Sequence, residues 1–208
     1  MKFGPIPIDQ AVGKILGHNI AGPDGRRLFR KGHTITQNDL AALHSTGRKA
    51  VYVAQLEPDD VDEDSAAVRI AQAVMGPNLY PSRAATGRVN LKADALGVLR
   101  VDADRLRLLN SQLGITLATL PGNTAVPASK MVGTVKIIPY AVPETAVSAI
   151  EKLANDQPLL WLNPLPKRRA AVVLSGSPSA ADRIQRSFDP PLRARLETLG
   201  ASLETLTF

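Results

Sequence analysis

The C-terminal part of the chain carries the pattern that most restricts the fold. Residues 170–174 form a continuous apolar run, which is typical of a strand buried in a parallel sheet. Ser175-Gly176-Ser177 follows as a tight loop, and Ser179 with Asp182 has the spacing of a capping box for a helix. We expect Pro190-Pro191 to break or kink that helix, and residues 203–208 to form a last strand. One strand–loop–helix–strand unit needs further strands to become a doubly wound sheet.

Shifts in charge and composition divide the rest of the chain. Residues 57–64 are an acidic run, and residues 163–169 combine two prolines with three basic residues, as an exposed linker does. The predicted domains are residues 1–56, 57–165 and 166–208. The predicted fold class is α/β, with an α+β N-terminal module, an α+β middle module and the start of a doubly wound α/β domain.

In the first domain the sequence predicts a short helix, or a helix leading into a strand, over residues 11–20. Residues 23–25 are a turn signal. Thr36 with Asp39 predicts a helix N-terminus, and Gly47 suits its end. Residues 50–54 then predict a strand.

In the second domain an apolar stripe predicts a buried helix face; its residues are Ala66, Ala67, Ile70, Ala71 and Val74. Asp102 is expected to cap a helix that buries Leu106, Leu109 and Leu113, and Pro143 is expected at the first position of another helix. Strands are predicted at residues 86–91, 96–101, 115–120 and 131–139.

Composition limits the kinds of function. The net charge of +6 favours an anionic partner, either nucleic acid or a phosphorylated small molecule. The absence of cysteine excludes disulfides, thiolate metal sites and cysteine nucleophiles, and the three histidines lack metal-ligand spacing. No apolar run reaches the roughly 20 residues of a membrane helix. We therefore expect a cytoplasmic protein without a membrane partner.

The loop after the apolar run is the first candidate site. Gly176 lets the backbone approach a ligand closely, and the following helix would direct amide donors at it. Ser175, Ser177 and Ser179 add small hydroxyl groups, and Arg183 adds a positive charge. This chemistry suits a phosphate or the pyran oxygens of a pterin. The same pattern is also typical of an ordinary strand-to-helix turn with a capped helix.

Basic and acidic residues supply weaker candidates. Arg88, Lys136 and Arg169 are further anion-contact candidates, although solvated faces explain such charges equally well. No aromatic residues are interleaved with the basic ones, which argues against nucleic-acid binding. The acidic run could hold Mg²⁺, or it could simply begin a helix, where negative charge is stabilising.

Six stretches together resemble a family of bacterial molybdopterin-binding proteins. No single stretch is diagnostic, but their order is. They are residues 3–7, 11–20, 30–36 with Asp39-Leu40, 53–61, 86–91 and 135–143.

That family looks like a divergent branch of the molybdopterin molybdotransferases, and some members are fused to a nucleotidyltransferase. The resemblance implies a helical and β module followed by a molybdopterin-binding α/β domain. It implies that Ser175-Gly176-Ser177 corresponds to the Thr-Gly loop after the first strand of that domain, so that molybdopterin or its adenylylated form is the ligand. Ser175 replaces the threonine, and the acidic residue that usually follows is absent.

A later Gly-Gly loop and a Pro-Gly-Asn-like segment line the pocket in relatives, and neither is present after Phe208. We therefore expect an incomplete ligand-binding domain whose exposed sheet edge favours a homo-oligomer, or contact with a nucleotidyltransferase or molybdoenzyme. The alternatives are molybdotransferase-like catalysis in a completed domain, a non-catalytic cofactor carrier or scaffold, and, more weakly, nucleic-acid binding.

Overall fold

A computed structural model describes residues 1–208, of which 31% are helical and 36% lie in strands. The predicted mixture of helix and strand is therefore confirmed. No helix combines the length and the apolar character needed to cross a bilayer.

Residues 1–56, here called the N-terminal region, form small antiparallel sheets around one helix. Strand β1 pairs with β5, β5 pairs with β2, and β3 pairs with β4 as a hairpin over the predicted turn. The elements are β1 (Lys2–Pro7), β2 (Ile15–Leu16), β3 (Ile20–Ala21), β4 (Arg27–Phe29), α1 (Leu40–Ser45) and β5 (Ala50–Gln55). Their core consists of Ile8, Ala11, Leu16, Ile20, Ile35, Leu43, Val51 and Val53.

The helix predicted over residues 11–20 is wrong, because this segment forms hydrogen bonds with a distant part of the chain. Only a 3-10 turn, Ile8–Gln10, precedes it. Gly13 has a positive φ of 81° and donates its N–H to the Ile35 carbonyl at 2.8 Å. The Leu16 N–H donates to the His33 carbonyl at 2.9 Å. Tertiary hydrogen bonds thus replace the local bonds of a helix.

The predicted capping box of Thr36 and Asp39 is present, but it caps a 3-10 turn, Gln37–Asp39, that leads directly into α1. The backbone N–H and the hydroxyl of Thr36 both donate to the Asp39 carboxylate at 2.8 Å. These bonds lower the pKa of Asp39, the backbone bond from Thr36 being the largest cause. Gly47 follows the helix with a positive φ of 72°, which suits a helix-terminating glycine.

Residues 57–165, here called the middle region, enclose the larger core. One sheet has the order β10-β12-β8-β7, a second has β11-β9-β14, and β13 pairs with β6. The strands are β6 (Asp60–Asp62), β7 (Leu79–Pro81), β8 (Arg88–Ala93), β9 (Gly97–Val101), β10 (Ile115–Thr119), β11 (Ala125–Val126), β12 (Met131–Ile137), β13 (Ala141–Pro143) and β14 (Leu160–Pro164). The helices are α2 (Glu63–Val74), α3 (Ala103–Asn110) and α4 (Glu144–Ala154).

Helix α2 packs against β8, β12 and α4, and all five residues of its predicted apolar stripe are buried. Asp62 caps it by accepting from the N–H groups of Asp64 and Ser65 at 3.1 and 3.0 Å. Pro143 is the residue before α4 and so lies one position earlier than predicted. Arg69 bridges to Glu144 at 2.6 Å and to Glu151 at 2.8 Å, which links α2 to α4.

The predicted buried stripe of α3 is only partly correct. Asp102 caps the helix by accepting from the Arg105 N–H at 3.0 Å, and Leu109 is fully buried. Leu113 was expected beside it, but 94% of its surface is exposed. The helix ends at Asn110, so Leu113 lies outside its periodicity, next to Gly114 with a φ of 81°.

Residues 166–208, here called the C-terminal unit, consist of β15 (Arg168–Val173), α5 (Ala181–Thr198) and β16 (Ala201–Thr207). The two strands are parallel and α5 packs on β16. The expected burial of residues 170–174 is wrong, since Val173 is 79% exposed and Leu203 alone in the unit is buried. Two strands and one helix leave a sheet face uncovered. Pro190 and Pro191 lie inside α5, which continues through them rather than breaking.

The difference between Leu109 and Leu113 gives a matched test of the middle core. Leu109→Ala removes a fully buried side chain and should lower the free energy of unfolding by about 2–5 kcal/mol. Leu113→Ala should change it by less than about 0.5 kcal/mol, because the side chain is in solvent. Urea denaturation followed by circular dichroism measures both. Equal effects of the two substitutions would contradict this core.

Candidate functional site

The predicted loop lies at the carboxyl end of β15. The backbone N–H groups of Gly176 and Ser177 donate to no group within the chain. The Ser177 and Ser179 hydroxyl oxygens are 3.1 Å apart. A Cβ at position 176 would lie 2.8 Å from the Ile184 Cδ1 atom, so glycine permits close packing of the loop on α5. The loop therefore combines unused amide donors with exposed hydroxyl groups.

The predicted capping box at this loop is wrong. Ser179 lies in a 3-10 turn, Pro178–Ala180, and α5 begins after it at Ala181 without a side-chain cap. Proline at the first position of the turn favours the 3-10 start. Asp182 lies in the first turn of α5, and the exposed Arg183 forms no salt bridge. The first turn of α5 is therefore uncapped, and the Asp182 carboxylate offsets part of the positive dipole end there.

The other anion-contact candidates do not gather at the loop. Arg88 and Lys136 face each other across β8 and β12, in a different sheet. Arg169 is opposite Ser202 near the start of β15, and six residues of extended chain place it about 20 Å from Ser175. Among the basic residues that the sequence suggested as anion contacts, only Arg183 therefore lies on the helix that follows the loop.

A second cluster, not anticipated from the sequence, joins α2 to the turn before β8. Lys136 donates to the Thr86 carbonyl, and its Nζ lies 3.7 Å from a Glu63 carboxylate oxygen. The Gly87 N–H donates to the Asp64 carboxylate at 2.6 Å. We call Glu63, Asp64, Thr86, Gly87 and Lys136 the seam cluster.

The seam cluster holds a strained turn. Thr86 has a φ of 50° and Gly87 a φ of 68°. A β-branched residue rarely adopts this conformation, which costs of order 1–3 kcal/mol. A Cβ on Gly87 would lie 2.6 Å from the Glu63 carboxylate, so glycine is required there. The hydrogen bonds from Lys136 and to Asp64 fix the turn in place.

Tyr140 connects the seam cluster to the N-terminal region. Its hydroxyl donates to the Gly17 carbonyl at 3.0 Å, and its carbonyl accepts from the Glu63 N–H at 2.9 Å. Burial raises the pKa of Tyr140, and the nearby Glu63 carboxylate raises it further. Burial also raises the pKa of Glu63, an effect that Lys136 opposes.

The acidic run is occupied by structural contacts. Asp60 accepts from the Glu57 N–H at 2.7 Å, while Asp62 caps α2 and Asp64 holds Gly87. No group of three or more histidine or acidic side chains is arranged to hold a metal ion. Thr86 and Lys136 lie in two of the six stretches named in the sequence analysis. Their contact with Glu63 depends on tertiary structure, which hydrophobic periodicity does not encode.

Residues 5–55 match a family described as a domain of unknown function, DUF8806. The match ends with β5, at the last strand of the N-terminal region. No curated protein and no solved structure matches the chain.

The pKa directions of two glutamates predict opposite pH responses. Since the folded pKa of Glu63 is raised, the stability it contributes is present at low pH and is lost as the pH rises through that pKa. Glu63→Gln should therefore become more stable relative to wild type as the pH rises from about 4 to about 7.

Glu144 is the control, because Arg69 lowers its pKa from 4.5 to about 2. Its contribution is present above pH 4.5 and is lost as the pH falls toward about 2. Glu144→Gln should therefore be least stable, relative to wild type, near neutral pH. Thermal melts of the three proteins from about pH 2 to about pH 7 test both trends. The same trend in both variants would contradict the assignment of Glu63 as a carboxyl group disfavoured by burial.

Proposed function

We propose that this chain binds molybdopterin, or its adenylylated form, with the phosphate at the Ser175-Gly176-Ser177 loop. The observation that carries the proposal is the pair of unused backbone donors, Gly176 and Ser177, between a parallel strand and a helix. Such N–H groups bind phosphate oxygens, and the positive end of the helix dipole stabilises the negative charge.

Charge in the C-terminal unit supports an anionic ligand. Residues 166–208 contain seven lysines and arginines against four aspartates and glutamates, a net charge of +3. Arg183, in the first turn of α5, has no carboxylate partner. A phosphate at the loop would therefore meet a favourable local charge.

The ordered resemblance supplies the identity of the ligand. Its stretches contribute Lys136, Thr86 and Gly87 of the seam cluster, and also Gly17 and Tyr140. In this proposal these stretches belong to the two regions that precede the ligand-binding unit. The unit itself would be the beginning of a doubly wound α/β domain, completed by further strands from a second copy or from a partner such as a nucleotidyltransferase or molybdoenzyme.

The proposed role is binding and carriage of the cofactor. No acidic residue follows the loop before Asp182, whereas molybdotransferase relatives have one next to the corresponding loop. The carboxylates of the acidic run are held in capping and turn contacts. Molybdate insertion, with or without Mg²⁺, would therefore need groups from elsewhere, which makes the carrier the better supported of the two roles.

Titration with purified molybdopterin, followed by pterin fluorescence, tests this proposal. Wild type should bind saturably, and Gly176→Asp should weaken binding by at least about tenfold, because a carboxylate would occupy the anion position. Gly122→Asp is the control, since a Cβ there lies 3.7 Å from its nearest neighbour and φ is ordinary. A second variant, Arg183→Gln, keeps the loop intact and should weaken binding in the same direction.

Circular dichroism would show whether each variant keeps the wild-type fold. The absence of saturable binding by folded wild-type chain would overturn the proposal. So would equal binding by wild type, Gly176→Asp and Arg183→Gln, since that places any pterin site away from the loop.

A further inference from the structure

The structure assembles an exposed aromatic cluster on the N-terminal region. The Phe3 and Tyr52 ring centroids are 6.2 Å apart, and His18 lies 6.1 Å from Phe3 and 5.5 Å from Tyr52. Only 4% of the chain is aromatic, so two such residues and a histidine in one exposed cluster are notable. These residues are far apart in the sequence and meet because β1 and β2 both pair with β5. We call Phe3, His18 and Tyr52 the ring face.

Strand alternation explains why the ring face is exposed. Val51 and Val53 of β5 point into the core, whereas Tyr52 between them is 49% exposed. Phe3 on β1 is 50% exposed. A Cβ on Gly17 would lie 2.6 Å from the Phe3 ring, so glycine lets that ring lie directly on the backbone. Phe3 also stacks on Tyr140, with ring centroids 6.4 Å apart. Phe3 and Tyr52 are therefore held by neighbouring groups on one side, and about half of each remains exposed to solvent.

The edge of this sheet is unsuited to pairing with another strand. Strand β1 is one of the two edge strands of this sheet, and it contains Pro5 and Pro7, which have no N–H to donate. A partner that adds a strand to this edge is therefore disfavoured. A ligand that contacts the face through side chains does not meet this obstacle.

The N-terminal region also carries most of the net charge. Residues 1–55 contain eight lysines and arginines against three aspartates, a net charge of +5, compared with −2 for residues 56–165 and +3 for residues 166–208. Six of these cations form no salt bridge. They are Lys14, Arg27, Arg30, Lys31, Arg48 and Lys49.

Two of these cations lie in the segments next to ring-face residues. The Lys31 N–H donates to the Asn19 side chain at 2.8 Å, which places Lys31 beside the residue that follows His18. Lys49 immediately precedes β5, the strand that carries Tyr52. Exposed rings bordered by unpaired cations are the arrangement with which proteins stack bases and neutralise phosphates.

We infer that the ring face binds single-stranded nucleic acid, with bases stacked on Phe3 and Tyr52 and phosphates near the unpaired cations. The sequence argued against this partner because aromatic residues are not interleaved with the candidate anion contacts. In the fold, exposed aromatic side chains instead meet in the most positively charged region of the chain. The surface belongs to the segment matched by the family of unknown function, and it does not involve the Ser175 loop.

Fluorescence anisotropy with labelled single strands of roughly 20 nucleotides tests the inference. Wild type should bind, and its affinity should fall between about 50 and 200 mM salt with a slope near −2, as expected for about three neutralised phosphates. The double variant Phe3→Leu/Tyr52→Leu should bind at least about tenfold more weakly, since it removes two stacking rings but keeps apolar side chains. Phe188→Leu is the matched control, because Phe188 is also 50% exposed but lies on α5.

A second test removes one charge. Lys31→Gln should reduce the slope of log affinity against log salt concentration by about 0.7, and the control Arg107→Gln should leave that slope unchanged. Arg107 is exposed and pairs with Asp104 at 3.1 Å. The single variant Tyr52→Leu removes one stacking ring without changing the packing of Phe3 on Gly17, and it should also weaken binding. Unfolding curves would confirm that each variant is folded.

Three outcomes would overturn the inference. One is the absence of binding at about 50 mM salt. Another is salt-sensitive binding that survives loss of both rings, which would indicate charge attraction alone. The third is a homodimer in solution that the double ring variant dissociates, which would assign the face to a second copy of the chain. Gly176→Asp should bind nucleic acid like wild type, so this test and the pterin titration fail independently.

Discussion

The burial of one side of α2 is the constraint on which the rest of the middle region depends. Ala66, Ala67, Ile70 and Ala71 lie fully buried on the side that faces β8 and β12, and small side chains there allow the helix to approach the sheet closely. The opposite side carries Arg69, which reaches two glutamates of α4. The first turn of the same helix supplies Glu63 and Asp64 to the seam cluster. One helix thus fixes the core, the packing of α4 and the strained turn before β8.

Hydrogen bonds around the strained turn also connect the middle region to the N-terminal region. Thr86 and Gly87 are held by Lys136 and Asp64, and Tyr140, three residues beyond β12, reaches Gly17. The cost of a β-branched residue at positive φ is tolerated because several hydrogen bonds determine the turn together. The C-terminal unit has no such support. Its strands are exposed, and α5 packs on β16 rather than on the larger core.

Predictions from the sequence succeeded where local chemistry decides the structure. The stripe of α2 has a strict helical period, and the Thr36–Asp39 and Asp102 caps form bonds within a few residues. They failed where distant parts of the chain compete. Gly13 and Leu16 bond to residues 33–35 instead of forming a helix, and the apolar run before Ser175 remains exposed because no further strand covers it.

The same distinction applies to the candidate sites. A glycine loop between a strand and a helix is a local pattern, so its position after β15 followed from the sequence, whereas Ser179 lost its capping role to a 3-10 turn started by Pro178. The seam cluster and the ring face depend on which strands pair. Phe3 and Tyr52 are adjacent because β1 and β5 are antiparallel with Pro5 opposite Tyr52, a register that no short-range pattern reveals. The distribution of charge follows the same logic, since a net charge of +6 does not reveal that the N-terminal region is the most positive part of the chain.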